Sequence, residues 1–344
     1  MHAPLGMIHG ARRVAGDMHA VVATAPGGPE VLALADQPDP TPGPTDVLVR
    51  VAAAGVNFID TYRRSGVYPM PFPHVVGSEG AGVVVAVGDD VRRVAVGDRV
   101  AWSSAPGSYA ELAVVPEREV LAVPDGVADE TAAALPLQGL TAHYLVTSSF
   151  RVEPGTTVLV HAAAGGVGLL LTQLATQRGA RVIATVGSAE KEALARAAGA
   201  AVVIRYRELG DLTTELPARV RELTDGRGVE AVYDGVGRDT FDASLASLAR
   251  RGTLVLFGAS SGPVPPVDPQ RLNAAGSVYL TRPTLGDHVA DRDELDRRAD
   301  ELFAAVTAGT LDVRVGARFP LSAAADAHRA LESRATTGKV LLLP

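Results

Sequence analysis

The stretch "VLVHAAAGGVGLLLTQLA", residues 158–175, places a cluster of glycines between two apolar runs. One run stops at His161, three alanines follow, and an amphipathic run opens at Gly165, Gly166, Val167 and Gly168. Glycines so placed let a backbone approach a pyrophosphate and let a helix pack closely on the preceding strand. The free N–H groups and positive dipole of that helix start attract phosphate. Ala163 stands where the common fingerprint has its first glycine. A glycine cluster here also serves as a plain turn, but strand, loop, helix and strand within about 30 residues favour a dinucleotide loop.

Which dinucleotide is read about 20 residues further on, where NAD-binding chains carry an acid for the ribose 2′-hydroxyl. Here "TVGSAEK" puts Gly187 and Ser188 at that place and Lys191 on the next helical turn. Ser188 can donate to a 2′-phosphate and Lys191 can supply charge, each contact to a charged group contributing ~1.5–3 kcal/mol. Glu190 is a neighbour on the same helix and points elsewhere. With no acid to repel the extra phosphate, NADPH is the expected cofactor.

Cysteine is absent. This excludes a disulfide framework, a thiolate nucleophile and any zinc site built on cysteine. His74 and Glu79 remain as a nitrogen–oxygen pair but read as ordinary surface or core groups, so no metal is expected. His161, at a strand end, reads as a hydrogen-bonded structural histidine. Asp60 beside Arg63 and Arg64 reads as a local ion pair worth ~0–1 kcal/mol.

These groups need a scaffold. From about residue 140 the rhythm changes and apolar strands alternate with helical runs: strands at 157–162, 181–186, 201–206, 229–237, 252–258 and 276–283, and helices at 168–179, 188–199 and 212–224. That alternation means a parallel, doubly wound sheet. Residues 18–139 instead show short β-branched strands, at 46–53, 80–88 and 97–102, with a proline-rich loop at 37–45. They read as a compact β-barrel. The last segment, 284–344, has helices at 292–308 and 322–334 and a closing strand, and is expected to return to the barrel.

The chain has 344 residues, enough for about two domains. Apolar residues at 47%, charged residues at 21% and a net charge of −7 fit a soluble globular protein and give no footprint for nucleic acid. No apolar run approaches the ~18 residues of a membrane span. Residues 1–17 lack the apolar core of a signal peptide and read as a disordered leader, or as residues upstream of a start at Met18. A cytoplasmic location is expected.

The segments "AAAGVNFIDTYRRSGVYP", "GSEGAGVVVAVGDDVRRVAVGDRVAW", "HAAAGGVG", "VYDGVGRDTF", "TRPTL" and "LESRATTGKVLLLP" resemble, in order, the NADPH:quinone oxidoreductases. These zeta-crystallin-like proteins form a zinc-free branch of the medium-chain dehydrogenase/reductase superfamily. The resemblance covers residues 18–344. It implies an α/β fold, with a GroES-like β-barrel catalytic domain from 18–139 and 284–344, a doubly wound Rossmann domain at 140–283, and a homodimer. Asn57 and Ser78 stand where zinc-dependent members carry cysteine and histidine.

By that resemblance Asn57, Phe58, Asp60 and Tyr62 line the nicotinamide end, with Tyr68 at the substrate mouth. Gly165, Gly166 and Val167, with Tyr144, meet the pyrophosphate. Gly187, Ser188, Lys191 and Tyr206 surround the 2′-phosphate. Phe257, Gly258, Ala259, Ser260, Thr281, Arg282 and Pro283 border the nicotinamide ribose, with Arg334 nearby. Gly235 departs from relatives that often carry Ser or Asn there.

Without a Lewis acid to hold an alkoxide, the acceptor must take hydride easily. Quinones qualify, and Asn57 and Tyr62 would bond the substrate oxygen. Activated alkenes also qualify, making an enoyl or alkenal reductase with Tyr62 as proton donor the alternative. A nucleotide-gated RNA-binding or structural crystallin-like protein is a reading of another class, and the acidic balance argues against it. The run "GSVYLTRP" is the expected dimer edge.

Overall fold

The computed structural model describes residues 16–344. Of the expected leader, residues 1–15 lie outside that range, while Asp17 already pairs with Pro38 as the opening strand Asp17–Ala23.

The nucleotide-binding half is a six-stranded, wholly parallel sheet. Thr157–Val160 lies in the middle. Arg181–Val186 and Val202–Arg205 succeed one another on one side, and Val229–Asp234, Leu248–Leu256 and Tyr279–Thr281 on the other. The chain therefore starts at the centre and winds outward both ways, leaving a crevice at the carboxyl ends of the strands where the winding reverses. After Thr157 the central strand is apolar and buried, Val158 and Val160 entering one core and Leu159 the other, because both of its faces are covered.

The other half is a mostly antiparallel seven-stranded sheet accompanied by a three-stranded sheet. Its spine is the eleven-residue strand Asp46–Val56, antiparallel to both Glu79–Val87 and the last strand, Lys339–Leu343. Both chain ends thus build one unit. Buried Trp102 sits within this half, its indole N–H satisfied by Ser108 Oγ at 2.9 Å.

Two features differ from the sequence expectation. The barrel half contributes a short helix, Phe58–Arg64, directly after its longest strand. Apolar and polar residues mix over those seven positions without a resolvable period, so the capping box at Asn57 and Asp60 is the only local signal. The helix Arg292–Thr307 does not simply rejoin the barrel. It packs on the helix Pro136–Tyr144 and reaches the barrel through Arg93–Asp296, at 2.6 Å, and through Arg292 to the Val120 carbonyl, at 2.8 Å.

Candidate active site

The glycine loop joins the central strand to the helix Gly166–Gln177. Its turn uses a left-handed residue, Ala162 at φ +50°, and Gly165 N–H donates to the Ala162 carbonyl at 2.9 Å. Gly168 is required by contact rather than by φ: a Cβ there would lie 2.3 Å from the Ala162 carbonyl oxygen. The barrel's last strand enters through Gly338, whose N–H donates to Ala164 O at 3.0 Å. The loop is therefore held from both halves of the molecule.

At the end of the strand Arg181–Val186, Gly187 leaves room against the Tyr206 hydroxyl, which a Cβ would meet at 3.0 Å. Ser188 caps the next helix, accepting from Lys191 N–H at 3.3 Å. Lys191 Nζ donates to the Arg334 carbonyl at 2.6 Å. Partial burial, then the Arg207 and Arg334 guanidinium charges, hold the Lys191 ammonium below the usual lysine pKa. Three cations gathered against two carboxylates, Glu190 acting on Lys191 and Asp239 at 3.5 Å from Arg334, leave a positive corner suited to a polyanion, and Arg207 was not foreseen. Its signal was adjacency to Tyr206 at the end of the third strand.

From this basic corner a single cleft of about 920 Å³ runs past the glycine loop and between the two halves. Asn57, Phe58, Tyr62, Tyr68, Tyr144, Gly165, Gly166, Val167, Gly168, Gly187, Lys191, Tyr206, Phe257, Gly258, Ser260, Arg282, Pro283 and Arg334 all line it. Asp60, Ser188, Ala259 and Thr281 do not. Gly235 also lines it, and a Cβ there would press to 2.8 Å from the Phe257 ring. Tyr144 is stacked on the His288 ring at 4.2 Å, and burial pushes its hydroxyl up to about 12.

At the barrel end Phe58, Tyr62 and Tyr68 form an aromatic group, the two tyrosine rings meeting edge to face at 5.5 Å. Burial raises the Tyr62 pKa, partly offset by the Ala259 backbone amide at its hydroxyl, so Tyr62 is a protonated donor at neutral pH.

Asn57 behaves differently from the expectation that it bonds substrate. Its Nδ2 donates to Glu79 Oε2 at 2.7 Å and to Gly55 O at 3.3 Å, while its Oδ1 accepts from Lys339 Nζ at 2.8 Å. Glu79 and Lys339 are themselves fully buried and ion-paired, and Glu79 Oε1 accepts from Leu137 N–H at 2.7 Å. Both Nδ2 hydrogens are spent inward. Asn57 can offer the cleft only an acceptor lone pair.

Asp60 forms no local ion pair either. It accepts from Asn57 N–H at 2.9 Å, Ser78 Oγ at 2.7 Å and the Tyr109 hydroxyl at 3.0 Å. Burial raises its pKa against those three bonds. Arg63 goes to Ser78, and Arg64 to Glu332 and His328. Asp60 positions the helix that carries Tyr62.

His161 is tied on both ring nitrogens, to Thr185 Oγ1 at 2.9 Å and Ser244 Oγ at 3.0 Å, and burial lowers its pKa. His74 and Glu79 do not converge, since His74 bonds the Pro71 carbonyl at 2.8 Å. Among the described residues no three His, Asp or Glu side chains are grouped as metal ligands.

Two family models match, an alcohol dehydrogenase GroES-like domain over residues 43–125 and a zinc-binding dehydrogenase over 166–302. The quinone oxidoreductase of Pseudomonas aeruginosa is 48% identical over 320 residues, covering 92% of this chain and 97% of that one. A 2-haloacrylate reductase from a Burkholderia species is 40% identical over 92% of this chain and 96% of its own length. The solved structure of a mycobacterial protein complexed with NADPH superposes with a TM-score of 0.92 at 57% identity, over 95% of this chain and all of that one. With its two-domain architecture and this cleft, the chain belongs to the quinone oxidoreductases of the medium-chain dehydrogenase/reductase superfamily.

Proposed function

We propose that the protein is an NADPH-dependent, zinc-independent quinone reductase. The observation that carries this is the continuity of one cleft, from the basic corner at Lys191, Tyr206 and Arg334 to the aromatic group at Phe58, Tyr62 and Tyr68. The residues fit the cofactor: a cradle closed to any side chain at Gly168, and Gly187 and Ser188 where an NAD-specific acid would stand, with cations close by. NADPH bound there supplies a hydride, and with one added proton a quinone becomes a quinol.

The protein's own part is orientation and electrostatics. Lys191 and Arg334, with Arg207, hold the 2′-phosphate, and Gly165, Gly166 and Val167 present backbone to the pyrophosphate. Asn57 offers its one free acceptor, locked by Lys339 and Glu79. Tyr62 donates to the substrate oxygen, and the aromatic group keeps a planar ring in place and water out. Residues 18–139 with 284–344 form the catalytic unit and 140–283 the cofactor unit. The enzyme works in the cytoplasm as a homodimer joined at the edge strand Tyr279–Thr281, where Tyr279 is 62% exposed.

Reduction of an activated alkene is the second reading, favoured by the 40% identity to a 2-haloacrylate reductase. NADPH consumption measured side by side on 1,4-benzoquinone and on a 2-alkenal decides between them. Faster turnover of the quinone is expected, and far faster turnover of the alkenal sinks the quinone reading.

A further inference from the structure

We propose that Arg63 is an anion subsite at the substrate end of the cleft, fitted to a carboxylate carried by a planar, electron-poor substrate. The proposal rests on the reductase reading above and names the substrate class more closely. Arg63 is half-buried on the helix Phe58–Arg64 and lines the cleft beside Tyr62 and Ser78. Its one hydrogen bond among the described residues is from Nη1 to Ser78 Oγ, at 2.6 Å. Ser78 spends its own hydrogen on Asp60 Oδ1, so it fixes the guanidinium without neutralising it. Asp60 feels the Arg63 charge but makes no direct bond to it, the link running through that serine, and it already accepts three donors.

Of the four other arginines lining the cleft three are ion-paired, and Arg282, like Arg63, bonds a neutral partner. Arg118 pairs with Glu119, Arg292 with Asp296 and Arg334 with Asp239, while Arg282 donates to the Pro283 carbonyl. The very next residue, Arg64, is buried against Glu332 and His328. Arg63 thus keeps Nε, Nη2 and the second Nη1 hydrogen for a ligand. A partly dehydrated guanidinium with a free edge matches the two oxygens of a carboxylate. The neighbouring rings of Phe58, Tyr62 and Tyr68 supply a flat wall for an attached ring or conjugated alkene.

Benzoate and its neutral counterpart benzamide, titrated calorimetrically into the protein saturated with NADP⁺, test this without turnover. The wild type is expected to bind benzoate the more tightly. Arg63→Gln should lower the benzoate-to-benzamide affinity ratio by roughly 10- to 100-fold, and Arg63→Lys should restore part of it. The kcat/KM ratio of carboxy-1,4-benzoquinone to 1,4-benzoquinone should fall by a similar factor. Melting temperature and NADPH affinity check that each variant is folded, and Arg63→Lys carries the comparison should the glutamine variant fail that check. No preference for benzoate in the wild type, or an unchanged ratio in the variants, overturns the subsite. If the ratio falls but no quinone or alkenal is turned over, the subsite stands and the reductase reading falls.

Discussion

Tyr62 is the one side chain in the cleft whose importance depends on which bond is reduced. A quinol oxyanion is a weak base, so water can protonate it, and the tyrosine adds one hydrogen bond worth ~0.5–1.5 kcal/mol. Tyr62→Phe should then cost less than about fifteenfold in kcat on 1,4-benzoquinone. A carbanion-like centre left by hydride addition to an alkenal needs a placed acid, and there the same change should cost about 10²–10⁴-fold. Stopped-flow measurement of both substrates on both proteins reads the difference. The basic corner offers a second test. Lys191→Ala should raise the KM for NADPH by roughly tenfold and leave that for NADH nearly unchanged. Equal losses would mean that the ammonium serves the chain, through the Arg334 carbonyl it bonds, and not the phosphate. Much of this corner was legible, because a missing acid and a nearby lysine have fixed spacing from a glycine loop. Arg207 was not legible, because adjacency to Tyr206 does not by itself separate it from any other exposed arginine. The same blindness hid the inward-turned amide of Asn57, whose partners Glu79 and Lys339 stand 22 and 282 residues away.

The elements that hold the cleft were read with uneven success, and the reason is periodicity. The parallel strands are short, apolar and evenly spaced, and Arg181–Val186 falls within the very residues expected of it. The strand Tyr279–Thr281 shrank to three residues because only those pair with the neighbouring strand. What no periodicity can show is how the final strand Lys339–Leu343 is locked to the strand Asp46–Val56. Part of that lock is the ion pair of Lys339 with Glu79, both fully buried beneath Gly55. Removing one partner of such a pair strands a charge, so Lys339→Met should cost about 3–5 kcal/mol in urea unfolding. Lys339→Met combined with Glu79→Gln should recover most of that loss while leaving Asn57 free to turn. The double variant is therefore expected to be stable but weakened in kcat. Full activity in it would show that the orientation of Asn57 is immaterial.

At the scale of the molecule two properties follow from surfaces and burial. Among the described residues the strand Tyr279–Thr281 ends the parallel sheet with an unpaired edge, and Tyr279 stands out from it; light scattering at micromolar concentration should give twice the monomer mass, and Tyr279→Lys should lower it. The second property is sensitivity to acid. Helix Ala324–Glu332 docks on the barrel by a buried chain in which Arg64 donates to His328, and His328 meets the Tyr109 hydroxyl at 3.2 Å. Burial, reinforced by the Arg64 charge, pushes the His328 pKa down to about 3. In the unfolded chain a histidine titrates near 6.5. Between those values the unfolded state binds the extra proton, so stability is complete above about pH 6.5 and is lost as pH falls toward 3. His161 and His143 are shifted in the same direction by burial. Asp60, with its pKa raised, acts in the opposite sense, because its folded form holds a proton that the unfolded chain has released. A single-site comparison separates these terms. Glutamine at this position can still accept from Arg64 and donate to Tyr109, but it cannot titrate. His328→Gln should therefore narrow the loss of unfolding free energy between pH 8 and pH 5 by about 2 kcal/mol, measured by urea denaturation at each pH. An equal loss in both proteins would place the acid sensitivity in the other buried histidines and leave His328 a purely structural link between the last helix and the helix that carries Tyr62.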